Sequence, residues 1–236
     1  MQRVLVLIVL IGTETGSLRA QSSVAKPLPL DPAALVARDD SFAVRLQGAD
    51  LGWISSRLEQ TPDGARYVEK TSVGDFVEQT TIVELSASGA VRRIQQRGKA
   101  QGQSTAIELG YRNNRVTGTA TATTPNGPTT LAIDTTVPDG TIDENAIQAL
   151  LPALPWADRA SWQVGVFSGT QNEYQVTTLA VVSTDTVTLA GGPVAAFRAE
   201  WTGAWQPATF WISTRPPHRV LRIAVSGAPV DVVRVR

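Results

Sequence analysis

The sequence predicts a mainly β fold: a large curved antiparallel meander sheet, a half-barrel, with one central helix packed on its concave face. Three observations predict it. From Ser41 onward, short runs of alternating apolar and polar residues are separated by turn residues. One stretch, residues 141–156, breaks that rhythm with helical spacing. No internal repeat of fixed period is visible, which argues against a propeller. A sheet of more than ~10 strands must curl, split or close, so a sandwich and a closed barrel are the alternatives.

Residues 1–20 read as a secretory signal. Arg3 is the positive start, residues 4–11 are an apolar run, and Leu18-Arg19-Ala20 is an acceptable cleavage site. The run is shorter than the ~20 residues that span a bilayer. The expected location is therefore periplasmic or secreted, with no transmembrane segment in the mature chain. Residues 21–40 form a leader. Within it Asp31 caps a short helix that begins at Pro32. Residues 41–236 form a single domain. The chain has no cysteine, which excludes disulfides, thiolate metal sites, a cysteine nucleophile and an acylated cysteine anchor. Basic and acidic side chains balance at 21 each, so charge offers no argument for nucleic acid or anionic membranes.

Phe42, Val44 and Leu46 alternate with Ala43 and Arg45 in the first strand, and residues 53–61 form the second. Pro62-Asp63-Gly64 fits a three-residue hairpin loop. That loop sets Thr61 opposite Ala65, Leu58 opposite Val68 and Arg57 opposite Glu69. Gly74-Asp75 and Ser86-Ala87-Ser88-Gly89 make the next hairpins, and the second of these puts Glu78 opposite Arg97. Residues 104–112, 115–124 and 129–137 follow, with turns at Asn113-Asn114 and Pro125-Asn126-Gly127. In the middle run Thr117, Thr119, Thr121 and Thr123 line one face, and Gly118, Ala120 and Ala122 the other. Small side chains leave room for something to lie against the sheet, either a ligand or the protein's own helix.

Thr141 and Glu144 match a capping box, and Asp143 and Glu144 sit where the helix dipole favours negative charge. Ile147, Leu150, Leu151 and Leu154 share one face. Pro152 stops regular helix near Leu151. Strand-like runs at 162–167, 172–183, 186–190, 194–202, 207–213 and 219–225 follow, and 230–235 is a last run that closes the sheet.

The search for chemistry finds no catalytic set. His218 is the single histidine, lies at a turn, and has no nucleophile motif to serve. Gly165-Val166-Phe167-Ser168-Gly169 is one residue off the G-x-S-x-G pattern. One histidine and no cysteine argue against zinc. Asp134, Asp139, Asp143 and Glu144 miss the spacing of a calcium loop. No pair of carboxylates is singled out for glycoside hydrolysis. Arg92, Arg93, Arg97 and Lys99 fit a salt-bridged outer face near Glu78 and Glu84. No cofactor motif is present. The expectation is a non-enzyme.

Six Trp among fourteen aromatics are the remaining feature. Such side chains suit core and ligand cavities alike. The candidate ligand-binding set is Trp53, Gly118, Ala120, Ala122, Ile147, Leu150, Leu151, Leu154, Trp156, Trp201 and Trp211. These residues would surround an apolar void between helix and sheet.

Phe42-x-Val44 with Gly48-x-x-x-Gly52-Trp53, Leu150-Leu151-Pro152-x-Leu154-Pro155, and Phe210-Trp211-Ile212-Ser213 followed by Pro216-Pro217-His218-Arg219-Val220 resemble an exported bacterial domain family of unknown function, DUF3108. In general shape that family is similar to the half-barrels of the periplasmic lipoprotein carriers LolA and LolB. The resemblance implies a curved sheet wrapped round a helix and, by analogy, handling of a lipid acyl chain or a lipoprotein. It carries no catalytic residues. The alternative is an interaction or assembly module for an envelope protein partner, with a solid core.

Overall fold

The computed structural model describes residues 25–100, 102–124 and 127–235. The expected signal, the first residues of the leader and the Pro125-Asn126 turn lie outside the described residues.

Among the described residues, fifteen strands form one sheet. The first eight, β1 (Arg38–Leu46), β2 (Ala49–Thr61), β3 (Gly64–Val73), β4 (Val77–Ser86), β5 (Val91–Ala100), β6 (Gln103–Arg112), β7 (Arg115–Thr124) and β8 (Gly127–Thr136), are one meander. A short strand β9 (Ile142–Asp143) leads into the helical segment, whose regular turn is α1 (Ile147–Leu150). The second meander is β10 (Ser161–Ser168), β11 (Glu173–Leu189), β12 (Gly192–Thr202), β13 (Ala208–Ser213), β14 (Val220–Val225) and β15 (Val230–Arg234). β15 pairs with β1, which joins the two meanders in the middle of the sheet. The last strand therefore sits at the centre, whereas the sequence places it as a closing strand. The edges are β8 and β9, and the sheet is not closed into a barrel.

The sheet bends until its two arms meet. The Tyr111 ring on β6 meets Phe167 on β10 edge-on at 6.4 Å. The helical segment fills the space between the arms: Ala149, Leu150, Leu151 and Ala153 are fully buried. It is shorter than the sequence predicts. Asp143, not Thr141, is its cap, accepting from the Asn145 N–H at 2.8 Å. Thr141 instead donates to the Pro138 carbonyl at 2.6 Å. Tight turns, Glu144–Ala146 and Leu151–Ala153, flank the four-residue α1, because Pro152 removes a donor just where a longer helix needs one.

One mouth of the half-barrel is stoppered. The leader crosses it, with Leu28 and Leu30 against the core and Leu35 buried. Asp31 N–H donates to Ala153 O at 2.8 Å, tying the leader to the end of the helical segment. Asp31 also caps the turn Pro32–Ala34, as predicted.

Register sets the inner face. Thr61 pairs with Gly64, so the hairpin loop is Pro62-Asp63 alone. Arg57 then faces Val68, Leu58 faces Tyr67, and Glu69 turns inward opposite Ser56. The predicted Arg57–Glu69 pair lies on opposite faces, since a one-residue slip exchanges every side chain between faces. Arg57 instead meets Asp39 at 2.6 Å. The turn sets Leu85 opposite Val91, one residue on from the expected Ala90, and a bulge between Glu84 and Leu85 adds a second step, so Glu78 faces Lys99 rather than Arg97. The runs predicted at 172–183 and 186–190 are a single strand, β11, with a bulge at Val181/Ser183. The basic stretch lies on the outer face, where Arg93 pairs with Glu108.

Candidate functional site

The inner face changes character along the strands of the first meander. Near the leader it is apolar: Leu58, Tyr67, Val83, Ile94 and Leu109 lie side by side across β2–β6. One step along, the neighbouring row is Ser56, Glu69, Thr81 and Gln96. The next contains Ile54, Thr71 and Gln79. Polar side chains at inward positions of central strands are costly unless something satisfies them.

What they face is a cleft of about 380 Å³ at the unstoppered mouth. Its size falls in the usual range of small-ligand sites, ~300–1,000 Å³. One wall is the polar ladder of Glu69, Thr71, Gln79, Thr81 and Gln96, continued by Glu144, Asn145 and Gln148 at the start of the helical segment. The opposite wall is apolar and aromatic: Trp201, Trp205, Pro207, Phe210, Ile223 and Val225. The second wall comes from β12–β14 and the loops at their ends, so the cleft lies between the two meanders.

A hydrogen-bonded chain fixes the polar wall. Tyr111 donates to the buried Asp143 carboxylate. Asp143 accepts from the Asn145 side chain at 2.8 Å, and Asn145 Oδ1 accepts from Gln96 Nε2 at 2.8 Å. Gln96 Nε2 and Gln79 Nε2 both approach Thr81 Oγ1, at 3.3 and 3.2 Å. The chain orients the Gln96 amide and leaves its Oε1 buried without a partner. On the other wall, the Trp201 indole N–H donates to Thr177 Oγ1 at 2.7 Å, which holds the ring.

The cleft carries two carboxyls, and no basic side chain lines it among the described residues. Glu144 is pushed up to about 7, first by burial and then by the neighbouring Asp143 charge, although Ser168 and Thr170 hydroxyls oppose the shift. Burial also raises Glu69, against a hydrogen bond from Tyr67 at 2.7 Å. Asp143 is raised by burial against its bonds from Tyr111 and Asn145. Among the described residues no cluster of His, Cys, Asp or Glu is placed to hold a metal. His218 lies outside the cleft, its Nδ1 2.8 Å from Ser213 O.

Of the eleven candidates from the sequence, Ile147 and Trp201 line the cleft. Leu150, Leu151 and Leu154 are buried in the filled core. Trp156 is buried too, edge-on to Trp162 at 5.2 Å and stacked on Phe197 at 6.4 Å. Gly118 allows close strand approach: a Cβ there would lie 1.9 Å from Glu108 O. Ala120 packs on the core, Ala122 is half-buried, and none of the three small residues lines the cleft. Trp53 is 48% exposed on the outer face. Trp211 lies on that same face, under the Arg222 guanidinium at 4.5 Å. The polar ladder is absent from the sequence-derived set. Its signal is present in β3, where Ala65, Tyr67, Glu69, Thr71 and Val73 alternate inward and Glu69 and Thr71 are polar.

No helix among the described residues is long and apolar enough to cross a membrane. No curated protein matches the sequence. Among solved structures, a β-barrel-like protein of domain of unknown function DUF1849 from Brucella abortus is similar. It shares 11% identity, the match covers 85% of this chain and 95% of that one, and the TM-score is 0.49. The model of the family "Protein of unknown function (DUF3108)" matches residues 57–230, and the chain belongs to that family.

Proposed function

We propose that this DUF3108 member is an exported, non-catalytic binding protein, periplasmic or secreted, that seats an amphipathic lipid in the cleft. The observation that carries the reading is the contrast between the cleft's polar and apolar walls. An acyl segment fits against Trp201, Phe210, Ile223 and Val225, where each buried methylene contributes about 0.8 kcal/mol before ordering costs. The polar end of the ligand, or the polar part of a lipoprotein, then meets the ladder of amides and hydroxyls. The space beneath α1, where the sequence places an acyl chain, is occupied by Leu150 and Leu151.

The reading assigns no catalytic role to Glu69 or Glu144, both raised by burial. The filled core beneath α1 favours a second reading, an assembly module that contacts an envelope partner from its surface.

One titration separates the two readings. Octyl glucoside, laurate and dodecylphosphocholine, each kept monomeric, are added while tryptophan fluorescence is followed, since Trp201 and Trp205 line the cleft. Saturable binding of at least one is expected. It should be lost in Gln79→Trp, which fills the cleft from a half-buried strand position while circular dichroism is retained. No saturable binding by the folded wild type would leave the assembly module standing. Export is tested separately: N-terminal sequencing of envelope-extracted protein should start near Gln21, and retention of Met1 would refute it.

A further inference from the structure

Building on the proposed binding role, we infer that the polar end of the ligand is an uncharged sugar ring, carried as a glycolipid head or met as a free saccharide. Three features of the cleft lead there.

The first is charge. A phosphate, sulfate or carboxylate taken out of water needs a cation or several N–H donors. The lining holds no Lys, Arg or His among the described residues, and it does hold Glu69 and Glu144. Those carboxyls oppose an anion once Glu144 ionises.

The second is the pattern of donors and acceptors. Thr71, Gln79, Thr81, Gln96, Asn145 and Gln148 are neutral groups, each able both to donate and to accept. A sugar hydroxyl does the same, so adjacent hydroxyls of one ring can match adjacent rungs of the ladder. The Gln96 amide adds a directional requirement. Asn145 and Thr81 take its N–H donors, and its buried Oε1 accepts nothing. Buried acceptors are rarely left unpaired, and a hydroxyl arriving through the cleft supplies the missing donor.

The third is shape. A pyranose has an apolar C–H face and a hydroxylated rim. Trp201 and Trp205 supply flat apolar surface on the wall facing the ladder. A polyether head would gain the apolar contact but could donate no hydrogen bond to Gln96.

The experiment compares amphipaths of equal chain length by isothermal calorimetry, each below its micellar concentration: octyl glucoside, the methyl-capped octyl tetraethylene glycol ether, which has no hydroxyl, and octyl phosphate, with methyl glucoside as the chainless arm. Octyl glucoside should bind at least about tenfold tighter than either of the other two amphipaths, the equivalent of one or two buried hydrogen bonds. Methyl glucoside should compete with it for the cleft. In Gln96→Leu the preference for glucoside over polyether should shrink to near unity. Trp205→Ala, at an exposed position, should weaken methyl glucoside binding and keeps the test informative if Gln96→Leu fails to fold. Equal affinity for glucoside and polyether, or tighter binding of octyl phosphate, would overturn the sugar assignment while leaving the cleft as a lipid site. Absence of all binding would remove both.

Discussion

Glu144→Gln should make the protein more stable at pH 8 and leave it nearly unchanged at pH 5. Glu144 sits at the start of the helical segment, accepts a hydrogen bond from Ser168 at 2.7 Å, and adjoins the buried Asp143. Its ordinary value of 4.5 is raised to about 7 in the folded chain, chiefly by burial. The folded state therefore binds this proton more tightly than the unfolded state. The associated stability is fully present below about 4.5 and falls away as pH climbs through 7. Moving a carboxyl from 4.5 to about 7 corresponds to roughly 3 kcal/mol at full ionisation. Glu144 lines a cleft open to water, so about 1–3 kcal/mol is the expected loss.

Glutamine keeps the acceptor for Ser168 but cannot ionise. Urea unfolding of both proteins at pH 5, 6, 7 and 8 should show the wild type losing ground between pH 5 and 7, with the variant flatter. Asp143 is present in both proteins, and its own raised value pulls in the same direction, so the difference between the curves reports mainly Glu144. A gap that does not change with pH, or a wild type more stable than the variant at pH 8, would refute the assignment of a raised Glu144.

Two further outcomes follow from the packing. Gly118→Ala should destabilise the fold by about 1–3 kcal/mol, because Gly118 has φ +149° and a Cβ there would lie 1.9 Å from Glu108 O; thermal unfolding checks it. Asp40→Asn should cost about 3–5 kcal/mol in urea unfolding, because Asp40 is the shared partner of Arg38, Arg219 and Arg234 at 3.4, 3.8 and 3.0 Å, and the buried Arg38 would be left beside two half-buried cations without its carboxylate.

Much of the architecture is legible in the sequence because strand alternation is local. Phe42, Val44 and Leu46 in β1, or Ala208, Phe210 and Ile212 in β13, declare an inner face without any knowledge of neighbours. The turn residues mark where each hairpin reverses. Two features depend on contacts distant in sequence and are not legible. One is the central place of β15 against β1, which brings Leu46 beside Val230. The other is the shortness of α1: its first turn is claimed by β9, which pairs parallel with β10 through Ile142 and Val166. Tertiary pairing there outweighs a local capping pattern.

The site was hidden by a single residue of register. Pro62-Asp63-Gly64 suits a three-residue loop, and that choice turns Glu69 outward to face Arg57, an attractive pair of opposite charges. Pro62-Asp63 alone turns Glu69 inward beside Ser56 and Thr81, and the polar ladder exists only in that register. Energetically the two choices are close: an exposed cross-strand ion pair contributes well under ~1 kcal/mol. What decides is the remainder of β3. The two-residue loop buries Ala65, Tyr67 and Val73, while the three-residue loop would bury Arg66 and Lys70 in their place. Burying two unpaired cations costs several kcal/mol, far more than the ion pair returns. Counting inward charges across the whole strand therefore selects the observed register. The same count exposes Glu69 and Thr71 as inward polar residues that the core does not need, which marks the strand positions where the cleft lies.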